Sequence, residues 1–237
     1  NRKYKFHNNH FLFTELNYFP SRWDDTNSGG NGDYKIDQRW QVGGFYSTDS
    51  AKKVRHGFSL FFKEEDIGGQ EHSWKYEITW RPSDRFAALL QLKYVTRTDW
   101  LLHESDQDFT TYEAEFWQPE LELDYFITAK QQFRITAQWV GIKAFERDRW
   151  RVPAGDGSLT PDTTAAADTR DFSISRLVFQ ARYRWEIAPL SDLFVVYTRG
   201  SDLPNRPTES FGDLFHDSWT NPAVDVFVIK LRYRLGS

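Results

Sequence analysis

Five carboxylates, Glu113, Glu115, Glu120, Glu122 and Asp124, crowd into one short stretch of the chain. Six cations, Arg176, Arg182, Arg184, Lys230, Arg232 and Arg234, fall in two later stretches. Most alternate with apolar residues, and alternate residues of a strand project to one side. Two chemistries fit such a pattern. Neighbours such as Glu120 and Glu122 could divide acid and base roles, as paired carboxylates do in glycoside hydrolysis. With so many acids in one stretch no pair is singled out, so catalysis is not the expectation. The other chemistry is electrostatic: an acidic wall and a basic wall facing one another across water would orient polar solutes, as charge rings do in channels. In a narrow barrel the same groups would meet as structural ion pairs, because about eight strands already fill with side chains.

Other candidate sites are weaker. The run from Asp25 through Asn27 to Gly29 and Gly30 opens like a calcium loop, with short oxygen ligands alternating before a glycine turn. The position that needs a bidentate Glu is Ile36, so Asp25 and Asn27 are only a weak calcium pair and a flexible loop is the expectation. His7 and His10 would point to opposite faces of a strand, which argues against a shared metal. Cysteine is absent, which removes disulfides, thiolate metal sites and cysteine nucleophiles. No cofactor is implied, and no Ser, His and acid set assembles from the sequence.

The elements that must carry these residues read as strands. From Ser73 to Arg81, Trp74, Tyr76, Ile78 and Trp80 share one face while Lys75, Glu77 and Thr79 share the other, a period of two. Phe86, Ala88, Leu90, Leu92 and Tyr94 repeat the pattern against Gln91, Lys93 and Arg97. Leu177, Phe179, Ala181, Tyr183 and Trp185 do so again, as do Phe227, Ile229, Leu231, Tyr233 and Leu235. About ten strands follow, over 10–19, 34–47, 53–64, 72–81, 85–98, 109–127, 131–144, 171–187, 192–200 and 223–235, with residues 1–9 a lead-in or incomplete strand. In the sixth, the phase slips at Pro119: Ala114 and Phe116 take one side before it, Leu121 and Tyr125 after it. A bulge there would accommodate the proline.

The connections sort by length. Those at 20–33, 65–71, 99–108, 145–170 and 201–222 are long and polar, and those at 48–52, 82–84, 128–130 and 188–191 are short. Outer-membrane barrels have long extracellular loops and short periplasmic turns. Aromatic residues at the strand ends fit interfacial girdles: Trp80, Phe86, Tyr125, Phe133, Trp185 and Tyr233 on the short-turn side, with Trp74, Trp100, Phe109 and Phe145 opposite.

Composition agrees with that reading. Aromatics are 17% and charged residues 27% of the 237-residue chain, too polar for a helical membrane protein and too aromatic for a disordered one. The longest apolar runs, Phe86 to Leu90 and Leu193 to Tyr197, fall far short of the ~20 residues that a spanning helix needs. Barrel strands need only ~9–11 residues and alternate, so they escape that test. A formal net charge of −4 with interspersed signs gives no basic stripe for nucleic acid.

Three stretches, Trp80-Arg-Pro-Ser-Asp-Arg-Phe86, Gln138-Trp-Val-Gly-Ile-Lys143 and Leu193-Phe-Val-Val-Tyr-Thr-Arg-Gly200, resemble the C-terminal barrel of a bacterial outer-membrane family. That family carries a family-9-like carbohydrate-binding module ahead of the barrel. The resemblance spans residues 58–235 and implies a barrel fold, with no catalytic residue to carry over. It also implies that further strands lie upstream, so that the wall seen here would not close by itself.

The expectation is therefore an all-β, antiparallel transmembrane barrel over residues 1–237 in a bacterial outer membrane. It would act as a porin-like pore or transport scaffold for small polar solutes, saccharides among them, with membrane lipid as its surroundings. Three other readings compete: a structural barrel that docks an envelope protein, an outer-membrane hydrolase, and a soluble β-sandwich lectin.

Overall fold

The computed structural model describes residues 1–155, 157–164, 168–203 and 209–234. Its elements are β1 (Arg2–Lys5), β2 (Phe11–Phe19), β3 (Arg22–Asp24), β4 (Tyr34–Ile36), β5 (Arg39–Ser47), β6 (Val54–Glu64), β7 (Gln70–Ser83) and β8 (Phe86–Ser105). They continue with β9 (Asp108–Thr128), β10 (Gln131–Arg151), β11 (Thr160–Pro161), β12 (Phe172–Ala188), β13 (Ser191–Leu203), α1 (Phe211–Thr220) and β14 (Val224–Arg232).

Every pairing is antiparallel, and one sheet runs β1-β2-β5-β6-β7-β8-β9-β10-β12-β13-β14, with β11 beside β10 and the β3–β4 hairpin separate. Chain neighbours thus pair with one another almost throughout, as a meander requires. The fold is an all-β antiparallel sheet. Among the described residues β1 and β14 each pair on one side only, so the sheet has two open edges and is not a closed barrel. Every residue of both edge strands is exposed.

The meander has two ends. At the proximal end lie the connections β1–β2, β5–β6, β7–β8, β9–β10 and β12–β13, and at the distal end the others. The expected loop at 99–108 is strand instead: β8 runs on to Ser105 and β9 starts at Asp108. The alternation of long and short connections therefore fails at this turn. Its tightness explains Asp106, which adopts a left-handed φ of 48°, a conformation that Asp tolerates in turns. The start of the expected loop at 145–170 is strand too, because β10 extends to Arg151. Of the expected last strand, Leu235 lies outside the described residues.

Pro119 makes no bulge. The β8–β9 register runs unshifted from Phe86↔Tyr125 through Leu92↔Pro119 to Arg97↔Ala114. On the other side, β9 pairs β10 at Glu120↔Gln138 and again at Trp117↔Gly141 with the same offset. The proline is accommodated in phase. The shifts lie farther out, between Arg97 and Trp100 and between Glu146 and Arg149. In the first of these, Asp99 has a φ of 52°. Ala114 and Phe116 consequently share a face with Glu120, Glu122 and Asp124, while Glu113 and Glu115 share the other with Leu121 and Tyr125.

Registers propagate this division across the sheet. One face carries Leu60, Phe58, Trp74, Tyr76, Ile78, Leu90, Leu92, Leu121, Leu123, Ile135, Phe179 and Ala181. From β6 to β12, between the row Trp74–Tyr94–Trp117 and the row Phe86–Tyr125–Phe133–Tyr183, it holds no Asp, Glu, Lys or Arg. The opposite face is polar at the proximal end and apolar at the distal end. There Val95, Tyr112, Ala114, Phe116 and Ala144 are buried with Trp100, Leu102 and Phe172 against them. A second cluster, Tyr34, Ile36, Phe109, Val152 and Leu159, brings the β3–β4 hairpin onto the distal strands. Phe109 and Tyr112 have opposite parity in β9, so the two clusters cover opposite faces. Four consecutive buried residues, Phe109 to Tyr112, are the direct sign of cover on both sides. Trp100 and Phe109, expected in the distal girdle, are core residues.

Candidate functional site: a polar cleft on the curled face

Arg55 of β6, Glu77 of β7, Glu122 and Asp124 of β9 and Arg134 of β10 line one cleft of about 450 Å³. Five adjacent strands contribute to its lining, β8 among them through Leu89. That is possible only if the sheet curls toward its polar face. A neighbouring cleft of about 480 Å³ at the proximal turns shares Arg81 and Asp124 with it. Small residues open the space: a Cβ on Gly57 would meet Glu77 Cγ at 2.5 Å.

Charge in the cleft is balanced between neighbouring strands. Arg55 Nη2 lies 3.0 Å and Lys75 Nζ 3.4 Å from the Glu77 carboxylate. Asp124 accepts from Arg134 Nη2 at 2.5 Å and from Gln132 Nε2 at 2.7 Å. Glu120 accepts from Gln138 Nε2 at 2.7 Å and Gln91 Nε2 at 3.4 Å. Cross-strand pairs of opposite charge stabilise a sheet by roughly 0.2–1 kcal/mol each, so Arg55–Glu77 and Arg134–Asp124 support the wall as well as lining it. Glu122 makes no hydrogen bond or ion pair among the described residues, which leaves its carboxylate for whatever enters the cleft.

The six expected cations divide. Arg184 and Arg232 converge on Asp192, at 2.9 and 2.5 Å, and Asp192 is only 1% exposed. Arg176 pairs with Asp202 at 3.0 Å. Arg182 and Lys230 make no hydrogen bond or ion pair among the described residues, although Arg182 acts on Asp124 through space. Arg234 donates its backbone N–H to Ser191 Oγ at 3.1 Å. Of the five acids, Glu120, Glu122 and Asp124 lie on the polar face. Glu113 projects from the other face and pairs there with Arg147 at 3.2 Å, and Glu115 shares its side. The acidic stretch is therefore split, for the geometric reason that β9 keeps its phase through Pro119.

Sequence reasoning missed Asp192, Arg55, Glu77 and Arg134 as members of the site. Arg55, Glu77 and Arg134 were legible as polar members of alternating strands. Asp192 had no signal beyond following a tight turn, because its partners come from strands on either side.

At the distal limit of the polar face, Arg97 sits between Glu71, whose Oε2 accepts from Nη2 at 2.5 Å, and Glu65, whose Oε1 lies 2.9 Å from Nε. The second contact is an ion pair without hydrogen-bond geometry. The guanidinium is 5.0 Å from the Trp100 ring centroid, a cation–π distance. Burial pushes the Glu65 carboxyl above its ordinary range despite Arg97. Tyr34, also distal, is pushed up to about 12 by burial and by Asp24 and Asp66.

Asp25 and Asn27 serve their own turn. The Asp25 carbonyl accepts from Gly30 N at 3.0 Å, and Asn27 donates to Asp24 at 2.8 Å. His10 Nδ1 lies 2.5 Å from Tyr46 Oη. Among the described residues no three His, Cys, Asp or Glu side chains are placed to hold a metal.

A family described as a domain of unknown function (DUF5916) matches residues 1–236. The chain belongs to this family. No curated protein and no solved structure matches it. The DUF5916 match spans the edge strands, the cleft and the distal clusters alike.

Proposed function

We propose that the chain forms the wall of a transmembrane β-barrel in a bacterial outer membrane, and that its polar face lines a passage for small polar solutes, saccharides among them. The observation that carries this reading is the separation of faces. Between its two aromatic rows the apolar face carries no Asp, Glu, Lys or Arg from β6 to β12, and it stays open to its surroundings, with Leu60 at 55% exposure. Soluble monomers rarely expose a contiguous apolar patch beyond a few hundred Å². A soluble sandwich would lay a second sheet over this face, and among the described residues only α1 and, at the distal end, the β3–β4 hairpin cover part of it.

Dimensions support the reading. Trp117 and Tyr125, which join the two aromatic rows, are eight residues apart in β9, roughly 27 Å at ~3.4 Å per residue. A tilt of ~40° reduces this to ~21 Å, close to the ~25 Å apolar band of such barrels. The open edges fit a wall completed by further strands, as the resemblance to outer-membrane barrels with an upstream carbohydrate-binding module implies.

A second reading is a non-conducting barrel that docks an envelope protein. It is favoured by the distal core, which fills the same face that the cleft opens. Planar-bilayer recordings on the intact polypeptide decide between them. Arg182→Gln with Lys230→Gln removes two cations of the polar face without breaking an ion pair. Single-channel steps in both proteins, with the reversal potential of the variant moved toward cation selectivity, are expected for a pore. Absence of steps from both rejects the pore and leaves the docking barrel.

A further inference from the structure

Helix α1 lies on the apolar face. Ser210 caps it by accepting from Asp213 N, and Asp213 closes a capping box on the Ser210 backbone. At 100° per residue, Phe211, Leu214, Phe215, Ser218 and Trp219 occupy one side, with Asp213, His216, Asp217 and Thr220 on the other. Leu214 and Ser218 are buried against the sheet. Ser175 Oγ donates to the Leu214 carbonyl at 2.8 Å and lies 2.5 Å from Ser218 Oγ, while Trp139 Nε1 donates to Ser175 at 3.0 Å. The helix is thus fixed to β10 and β12 rather than hanging in a loop.

Its place in the registers is informative. Trp74, Tyr94 and Trp117 form one pairing row, which continues to Gly141 and Ser175. The aromatic row stops where those two small residues begin, and the Trp139 ring and α1 together occupy the space: a Cβ on Gly141 would run into the Trp139 ring and come within 3.1 Å of Phe211. Phe211 and Phe215 then pack edge-on against Trp139, and Trp219 against Phe179, on the proximal side of that row. Phe215 and Trp219 remain 44% and 41% exposed beside the uncharged band. Cations flank the helix. Lys143 Nζ is 5.7 Å from the Phe211 ring, and Arg199 donates to the Trp219 carbonyl at 2.6 Å.

We infer that α1 is a membrane-interface helix, which replaces the distal aromatic girdle on β10 and β12 and meets a lipid surface with Phe215 and Trp219. The inference rests on the membrane-wall reading above. Lipid is the occupant because the exposed aromatics continue the apolar band, while Lys143 stands beside them at headgroup depth and Arg199, paired with Asp225 at 3.0 Å, anchors the end of the helix. Tilted strands make the membrane plane cross the pairing rows obliquely. The helix does the same, from Gly141 on β10 toward Arg199 on β13.

Because the chain has no cysteine, single-site labelling is clean. Phe215→Cys, His216→Cys and Leu90→Cys, each carrying an environment-sensitive fluorophore, would be placed in phosphatidylcholine–phosphatidylglycerol vesicles with doxyl quenchers near the headgroup or deep in the acyl chain. The label at Phe215 should lose more fluorescence to the shallow quencher than to the deep one, and the label at His216 should lose little to either. The label at Leu90 should lose most to the deep quencher. Quenching at Leu90 with none at Phe215 overturns the inference and leaves the membrane wall intact, as does quenching at Phe215 mainly by the deep lipid. No quenching at Leu90 removes both.

Discussion

In β9, the residues from Phe109 to Tyr112 are buried one after another, whereas those from Glu120 to Tyr125 alternate between acid and apolar side chains and none is buried. One strand thus meets two environments. At its distal end the sheet is covered on both faces, by the Tyr112 cluster and by the β3–β4 hairpin, in the manner of a water-soluble domain. At its proximal end the apolar face is bare and the charges turn to the curled face. The distal half needs no surroundings to satisfy its apolar surface. The proximal half does, and on the proposed reading lipid supplies them.

The largest expected effect tests that contrast within one strand of the proximal half. Leu90 and Gln91 are adjacent in β8 but face opposite ways, Leu90 beside Leu121 and Gln91 beside Glu120. Leu90→Arg places a charge on the bare face and should cost ~2–4 kcal/mol near the midplane of a bilayer, whereas Gln91→Arg should cost little. Fractions of heat-modifiable protein refolded into vesicles over a urea series measure both. Equal losses from the two variants would remove the distinction between the faces.

A smaller effect is expected on the charged side of the same half. Asp192 is enclosed between Arg184 and Arg232, and hydrogen bonds to charged groups contribute about 1.5–3 kcal/mol. Both guanidinium groups are partly exposed and can take water once the carboxylate is gone, so Asp192→Asn should cost only about 1–2 kcal/mol. The readout is the unfolding midpoint in detergent. A variant indistinguishable from the parent would mean that the two arginines are held by their strands alone.

Legibility in the sequence followed the same division. Where one face is apolar and the other polar, the period of two showed both the strand and its orientation, as in Ser73 to Arg81 and in Leu177 to Trp185. Beyond Arg97 the pattern disappears. Residues covered on both faces do not alternate, and the shift between Arg97 and Trp100 displaces the phase. Glu113 and Glu115 were read onto the wrong face because Ala114 and Phe116, which alternate with them, resemble lipid-facing residues although they are core. Helix α1 fell within an expected loop. Its capping box at Ser210 and Asp213 and its spacing of Phe211, Phe215 and Trp219 were present, but ten residues between two strands offer little periodicity.

The smallest expected effect belongs to the distal half. Glu65 is buried and its carboxyl is raised above the ordinary value of 4.5 by that burial. A carboxyl raised in the folded state binds its proton more tightly there than in the unfolded chain, so its contribution to stability is greatest at low pH. That contribution is lost as pH rises from the unfolded value through the folded one. At neutral pH the ionised Glu65 is therefore a local cost, only partly offset by Arg97, which keeps Glu71 as a partner. Glu65→Gln should stabilise the distal strands by up to ~1 kcal/mol at neutral pH, and the advantage should shrink on acidification as the parent carboxyl takes up its proton. Hydrogen exchange of the amides from Val95 to Tyr112, compared between the two proteins at neutral and mildly acidic pH, resolves the distal half from the rest. Faster exchange in Glu65→Gln at neutral pH would show that the Arg97 ion pair outweighs the burial of its partner. The distal half would then depend on paired charge as the proximal half does.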